Sequence, residues 1–243
     1  LRHAAATGRL TVVTGATVTR LRTGPNAAIA SAEVVVGGRA ENVETPLVFL
    51  CAGAVQTPRL LLLSASAEAP DGLANGSGQL GRNFIETLSW RSAGLVPGLT
   101  GSHRGLPADA VCWAPDPADP GGFRLNHATL EVGLNAPIAY ARRLLPGHGA
   151  ALKSALRLRF GSALAVGAVG ELVPDPRSVV TLDPEARDVL GLPVARISSV
   201  LAPAALSRLR RMAGACRAVL AEAGAELAEE AGSWDAFTAT HVF

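Results

Sequence analysis

The first part of the chain shows the short apolar runs that are typical of β-strands. Residues 10–22 alternate β-branched and small residues around a central glycine, which predicts two short strands with a kink. Residues 28–36 and 43–50 are further apolar runs, and the pair Gly37-Gly38 between them favours a turn. The sequence therefore predicts a meander of three successive strands.

The last of these strands leads into a predicted helix. The strand at 46–50 ends at Cys51-Ala52-Gly53-Ala54, and a helix is predicted from Thr57, which can cap it, with Pro58 at its first position. Small residues at such a turn let a ligand approach the backbone, and the free amides of a helix start can bind an anion or phosphate. The same residues can also serve packing alone, so the pattern leaves both interpretations open.

The later part of the chain combines strands with one long amphipathic helix. Strands are predicted at 163–173 and 194–200, on either side of a turn-rich segment. A helix is predicted from Pro203, with Gly224 as its C-cap, and a second helix from Ser233. The apolar stripe of the long helix consists of Leu206, Leu209, Met212, Cys216, Val219 and Ala223.

The region between these two parts gives weaker signals. Residues 71–83 are rich in Gly, Asn and Ser, which is typical of a linker, and residues 125–134 favour a strand. The repeated Pro and Asp residues of 114–122 indicate loops. Taken together, the patterns predict a protein of the α/β (α+β) class that contains a β-meander.

The composition limits the classes of function that the chain can have. With 49% hydrophobic and 17% charged residues the chain is expected to fold as a globular protein, and its longest apolar run, Leu60–Leu63, is far too short to span a membrane. The net charge is +2, carried by scattered arginines with Lys153 as the single lysine, so we expect no nucleic-acid partner. No pattern of metal ligands is present.

The cysteines and the first residue give information about the cellular compartment of the protein. Cys51, Cys112 and Cys216 form no closely spaced pair, and the odd count favours buried free thiols in a reducing environment. The chain starts at Leu1 without a methionine, so we expect the true amino terminus to be missing. Cytoplasmic and periplasmic locations both stay open.

Residues 53–64, Gly-Ala-Val-Gln-Thr-Pro-Arg-Leu-Leu-Leu-Leu-Ser, resemble the second signature of the glucose-methanol-choline family of flavin oxidoreductases. Ala65 departs from that pattern, in which glycine is usual. Residues 73–83 are similar to the stretch at the end of the family's flavin domain, although 84–87 replace the acidic residue and histidine that commonly follow.

Three further segments agree with this resemblance in the order the family requires. Residues 11–21 resemble the meander strand whose backbone lies along the adenine of FAD. Residues 171–197 resemble the substrate-domain segment before the long helix, and 239–243 resemble the lead-in to the His-x-x-Gly-Thr motif of the catalytic histidine.

The resemblance implies FAD as cofactor and oxidation of the CH–OH group of an alcohol by hydride transfer to the flavin. It implies that His241 takes the hydroxyl proton as general base, for which imidazole is suited because its pKa lies near working pH. The cofactor-binding positions that it implies are Val18, Ala52, Gly53 and Ala54. The substrate would be a small-molecule alcohol, and the wording of the signature is closest to the sugar and polyol branch.

The resemblance also implies a domain organisation. Residues 1–83 would be part of a Rossmann-like FAD/NAD(P)-binding domain that contains the β-meander. Residues 84–230 would be the substrate-binding domain, a mostly antiparallel sheet backed by helices, and 231–243 a segment that returns to the active site. On its own, His241 would be an ordinary terminal histidine; its register with the family favours catalysis. The other four histidines have no partner pattern and are expected on the surface or in loops.

Departures from the family leave alternatives open. The Gly-x-Gly-x-x-Gly fingerprint, the Gly-Thr expected after Phe243 and the second catalytic His or Asn are all absent, so we expect the chain to be an internal piece that does not turn over by itself. One alternative is a non-catalytic remnant of such a protein. Another is a flavoprotein that oxidises amines, in which His241 would lose its role. The electron acceptor, covalent flavin linkage and oligomeric state stay undetermined.

Overall fold

A computed structural model describes residues 2–104, 110–112, 122–127 and 134–232. They form two compact units. The first unit contains the described residues up to 84 together with 175–199, and the second contains those of 85–174 and 200–232. The predicted helix at Ser233 and the residue His241 lie outside the described residues.

A three-stranded antiparallel meander forms the first unit's sheet, as the sequence predicts. After a short helix α1 (Arg2–Ala6), the strands are β1 (Ala16–Thr23), β2 (Ile29–Val36) and β3 (Arg39–Glu44), in the order β1-β2-β3. A single turn of 3-10 helix, Pro25–Ala27, connects the first two.

The predicted bounds of two strands are wrong. Residues 10–14 are in no strand, so the kinked pair reduces to β1, which starts directly after Gly15 at φ +65°. The third strand is β3 rather than 43–50, because the turn at Gly37-Gly38 pairs Val36 with Arg39 and the register continues from there. All six residues of β3 are exposed, so this strand carries no apolar signal in the sequence.

Helix α2 (Gly53–Leu63) begins four residues before its predicted start. Thr57 is not its cap, and Pro58 lies inside the helix rather than at its first position. Proline lacks an N–H, so the helix loses only the bond that Pro58 would donate to the carbonyl of Ala54. The helix forms in spite of that loss because Leu60 is buried in a core with Leu21 and Ala32.

The turn-rich segment before the long helix is a β-hairpin, which the sequence did not predict. Strands β8 (Val179–Arg187) and β9 (Pro193–Ser198) pair with each other and both contact α2. Residues 175–199 therefore belong to the first unit, although they lie within the range 84–230 that the sequence assigned to the substrate-binding domain.

Residues 71–83 are fixed to their neighbours rather than acting as a free linker. Leu73 N donates to Leu61 O (2.9 Å), and Val180 N donates to Gly81 O (2.6 Å). Phe84, which is buried, donates its backbone N–H to Ser178 O (3.0 Å). The segment therefore joins α2 to the β8–β9 hairpin within the first unit.

The second unit is a five-stranded antiparallel sheet with helices on both faces. Its strands are β4 (Leu88–Leu95), β5 (Val111–Cys112), β6 (Phe123–His127), β7 (Ala163–Gly170) and β10 (Glu226–Gly232), in the order β10-β4-β7-β6-β5. Its helices are α3 (Pro137–Leu144), α4 (Gly149–Arg159) and α5 (Pro203–Glu222). The predicted α/β (α+β) class, with its meander and its helix-backed antiparallel sheet, is confirmed.

Helix α5 packs its apolar face on one side of this sheet. Its buried residues are Ala205, Leu209, Met212, Ala213, Cys216 and Leu220. The predicted stripe is therefore slightly rotated, since Val219 and Ala223 are exposed. The predicted C-cap is confirmed: Gly224 has φ +67°, and the backbone N–H of Ala225 donates to Leu220 O (2.9 Å), as in a Schellman motif.

Two of the three cysteines differ from expectation. Cys51 and Cys112 are exposed and only Cys216 is buried, and all three are free thiols. Cys112 ends the edge strand β5, and Cys51 lies in the segment without regular structure before α2. Among the described residues, no helix is both long and apolar enough to cross a membrane.

Candidate functional site

A cavity of about 600 Å³ in the first unit is lined by two of the four cofactor positions inferred from the sequence, Val18 and Ala52. Its walls come from β1, from the segment leading into α2, from α2 itself and from the β8–β9 turn. The residues that line it include Val18, Cys51, Ala52, Arg59 and Asp188. A volume of this size is in the range of small-molecule and cofactor sites.

Val18 lies on the edge strand β1, which forms one wall of the cavity. β1 is the outer strand of the meander, and its pairing with β2 is interrupted by a bulge between Val18 and Arg20. Val18 is 43% exposed. The backbone groups on the outer edge of such a strand have no partner strand among the described residues, so they are available to a flat polar ligand.

The start of α2 supplies a second wall. Ala52 lines the cavity, and Gly53 and Ala54 follow it as the first residues of the helix. Gly53 has φ +77°, a left-handed conformation that favours glycine, and a Cβ built there would meet nothing within 4 Å. The helix start has no side-chain cap and no acidic residue in its first turn. Its free amides can therefore donate to an anion.

Ser64 and Arg20 hold these two walls together. The buried Ser64 hydroxyl donates to Leu60 O (2.6 Å) and accepts the backbone N–H of Leu21 (2.9 Å). Arg20 Nε donates to Leu63 O (3.0 Å). The bonds from Leu21 N and Arg20 Nε join β1 to the end of α2, so the position of Val18 relative to the helix is fixed by the fold.

Arg59 of α2 connects this helix to the wall of the cavity that the β8–β9 turn forms. Its Nη2 pairs with Asp188 Oδ2 at 2.6 Å, its Nε donates to Pro193 O at 2.8 Å, and its Nη1 donates to Gln56 Oε1 at 3.2 Å. Asp188 Oδ1 accepts the backbone N–H groups of Leu190 and Leu192 in the same turn. The guanidinium therefore makes its hydrogen bonds within the protein and connects α2 to the hairpin.

Comparison with known proteins shows what the chain is similar to. No protein-family model matches it. It is 30% identical over 168 residues to 2-methyl-1,2-propanediol dehydrogenase of Mycolicibacterium austroafricanum, covering 66% of this chain and 30% of that protein. It is 28% identical over 177 residues to the fructose dehydrogenase large subunit of Gluconobacter japonicus, covering 67% and 31%.

The fold of most of the chain is also found in a solved structure. Pyridoxine 4-oxidase from Mesorbium loti matches 93% of this chain and 43% of its own with a TM-score of 0.61, at 20% identity. The chain belongs to the glucose-methanol-choline family. It spans about 30% of the length of the curated relatives it matches.

Within the glucose-methanol-choline fold, the sequence located part of the cavity and missed the rest. Val18 and Ala52 line it, and Gly53 and Ala54 border it, whereas His241 lies outside the described residues. Arg59 is part of the family signature, but nothing in the sequence shows that it pairs with a residue 129 positions away. Ser64 is the last residue of the signature segment, and its hydroxyl contacts the backbone of Leu60 and Leu21.

Within the described ranges, the remaining candidate groups form no second site of acid–base or metal chemistry. Asp183 caps the backbone N–H groups of Glu185 and Ala186, which lowers its pKa, as expected for a turn. Burial raises the pKa of the Cys216 thiol to about 12. In the part of the chain that the structure describes, no three His, Cys, Asp or Glu side chains are grouped to hold a metal ion.

Asp188→Asn is expected to destabilise the first unit in a pH-dependent manner. The hydrogen bond from Arg59, followed by that from Leu192 N, lowers the pKa of Asp188. A lowered pKa means that the stabilisation is present above the unfolded pKa of about 3.9 and is lost as pH falls through the folded value. Urea unfolding at pH 7 and at several acidic pH values measures the effect.

The difference in unfolding free energy between wild type and this variant should be constant near neutrality and shrink below about pH 4. Asp71→Asn is the control, because Asp71 is exposed and is in no ion pair among the described residues. A difference that stays constant down to strongly acidic pH would show that the carboxylate charge is not what stabilises the turn.

Proposed function

We propose that the protein to which this chain belongs oxidises the CH–OH group of an alcohol, with FAD as the hydride acceptor. The observation that supports it most is the cavity in which Val18 meets the start of α2. Family membership supports a flavin enzyme, and two dehydrogenases among the relatives are named for a diol and a sugar. A polyol or sugar is therefore the substrate class we propose.

The residues of the cavity suit the adenosine diphosphate part of FAD. The uncapped amides at Gly53 and Ala54 would hold a phosphate, and the free edge of β1 at Val18 would hold the adenine. The wall at Val18 and Ala52 is apolar, which suits a flat aromatic ring. FAD would supply the acceptor for the hydride when bound.

The remaining roles follow from the family. The first unit would be part of the FAD-binding domain, and 175–199 would belong to it. The second unit would be the substrate-binding domain, and the segment after 231 would return to the active site. His241 would hold the substrate hydroxyl and accept its proton while the hydride leaves the same carbon.

Gly53→Ala tests the cofactor part of this proposal. Alanine at φ +77° is strained by about 1–2 kcal/mol, so the helix start should shift and the affinity for adenosine diphosphate should fall about tenfold. Calorimetric titration of the full chain measures this affinity. Gly38→Ala is the control, since Gly38 has φ +79° and open space but lies in the β2–β3 turn.

Unchanged affinity in Gly53→Ala, or an equal loss in both variants, would contradict the assignment of the cavity. Adenosine diphosphate binding combined with oxidation of amines rather than alcohols by the complete gene product would favour the amine-oxidising alternative. Binding without any oxidation would favour a non-catalytic remnant.

A further inference from the structure

Two helices of the second unit form an outer layer on one face of its sheet. Tyr140 and Leu144 of α3 are buried in a cluster that contains Ala93 of β4, and Leu152 and Leu156 of α4 pack against the same cluster. Alternate residues of a strand point to opposite faces, so this is the face that α5 does not cover. Because both helices turn their inner sides to one cluster, their outer sides face away from the sheet together.

The outer side of these two helices is rich in cations. Residues 132–170 include no Asp or Glu, and their basic residues other than His148 are Arg142, Arg143, Lys153, Arg157 and Arg159. Arg143 pairs with Glu229 of β10 at 2.9 Å. The other four are exposed and are in no ion pair among the described residues. On the neighbouring strand Glu230 pairs with Arg217, which leaves Glu226 as its exposed acid. The surface therefore complements an anionic partner.

Each helix also exposes one large aliphatic side chain among these cations. Ile138 of α3 is 85% exposed, and Leu158 of α4 is 83% exposed. Side chains four residues apart on a helix are neighbours, so Ile138 lies beside Arg142. Lys153 and Arg157 are neighbours in the same way, and Leu158 directly follows Arg157 on the exposed side. A partner that buries both aliphatic side chains would gain the free energy of removing them from water.

We propose that the outer side of α3 and α4 binds the surface of an anionic lipid bilayer. Aliphatic side chains enter the boundary between headgroups and acyl chains, and Lys and Arg beside them stay at the level of the anionic headgroups. A protein partner would favour aromatic anchors, whereas Tyr140, the one aromatic residue within these two helices, is buried against the sheet. This binding is independent of the oxidation proposed above.

Co-sedimentation of the full chain with lipid vesicles tests this inference. The chain should bind vesicles of phosphatidylglycerol mixed with phosphatidylcholine, and should not bind vesicles of phosphatidylcholine alone. Binding should fall as salt rises from about 0.1 M to about 1 M, because the screening length shortens from about 10 Å to about 3 Å. Arg157→Gln should weaken it about fivefold. Arg39→Gln is the control, because it removes the same charge from the exposed strand β3 and should bind like wild type.

Leu158→Gln tests the aliphatic contact separately from the charge. It should weaken vesicle binding several-fold at constant salt, since glutamine cannot replace the buried aliphatic surface. Val189→Gln is its control, because Val189 is fully exposed in the β8–β9 turn of the first unit. Circular dichroism should show the same urea unfolding for Leu158→Gln as for wild type, so a loss of binding would not reflect a loss of folding.

Three results would overturn the inference. The first is equal binding to neutral and anionic vesicles, or to neither. The second is an equal effect of each variant and its control. The third is binding to polyglutamate without binding to anionic vesicles, which would indicate an acidic protein partner instead. None of these results would change the adenosine diphosphate titration of the first unit, so this inference and the proposed function fail separately.

Discussion

Replacing His241 with asparagine in the complete gene product is expected to lower the turnover number for the alcohol substrate about 100-fold or more. Asparagine keeps a hydrogen-bonding group near the substrate hydroxyl but cannot accept its proton at neutral pH. Steady-state kinetics at saturating alcohol measures the loss. Flavin absorbance of the purified variant should be unchanged, because the role proposed for His241 is at the substrate hydroxyl and not in cofactor binding.

His148→Asn is the matched control for this change, since His148 is an exposed residue in front of α4. It should leave turnover unchanged. The base role of His241 also predicts that the acidic limb of the pH–rate profile disappears in His241→Asn. Turnover within a few-fold of wild type, with the acidic limb intact, would exclude His241 as the base.

Gly81→Ala is expected to destabilise the first unit by about 3–5 kcal/mol. Gly81 has φ +72°, and a Cβ placed there would overlap the carbonyl oxygen of Val180. The backbone cannot move aside, because Val180 N donates to Gly81 O (2.6 Å) and joins residues 71–83 to the hairpin. Urea unfolding followed by circular dichroism measures the effect.

Gly78→Ala separates the clash from the backbone strain. Gly78 has φ +67° in the same segment, but a Cβ there would meet nothing within 4 Å, so we expect a loss of only about 1–2 kcal/mol. Equal losses in the two variants would show that residues 71–83 do not pack against the hairpin as described.

The elements that the sequence predicted correctly carry their own signals. Helix α5 has an apolar stripe over five turns and a terminal glycine, and both are local features. The rotation of the stripe toward Leu220 and away from Val219 was not predictable, because alanines and leucines surround the whole helix. Which of them become buried depends on the facing residues of β4 and β7.

The elements that were missed depend on distant partners. Strand β3 has no apolar pattern and is formed by register from the turn before it. Helix α2 tolerates Pro58 because of burial at Leu60. The ion pair of Arg59 with Asp188 joins two segments 129 residues apart, and no spacing rule connects them.

In the candidate site, too, features with a local signal were predicted and contacts between distant residues were not. The small residues at 52–54 indicated the turn before α2, although the helix was predicted only from Thr57, and the resemblance of the meander strand indicated Val18. The side-by-side placement of Asp188 and Arg59 in this cavity was not predicted, because their segments are far apart in the sequence.

Alkylation of the cysteines with and without adenosine diphosphate tests the cofactor cavity most directly. Cys51 is exposed and lines this cavity, Cys112 is exposed in the second unit, and Cys216 is buried with its pKa raised to about 12. Peptide mass spectrometry of the iodoacetamide-treated chain follows each thiol separately. Adenosine diphosphate should slow the alkylation of Cys51 several-fold and leave the rate at Cys112 unchanged, with Cys216 unreactive throughout. Unchanged alkylation of Cys51 at saturating nucleotide, or equal slowing at Cys112, would contradict the placement of the cofactor in this cavity.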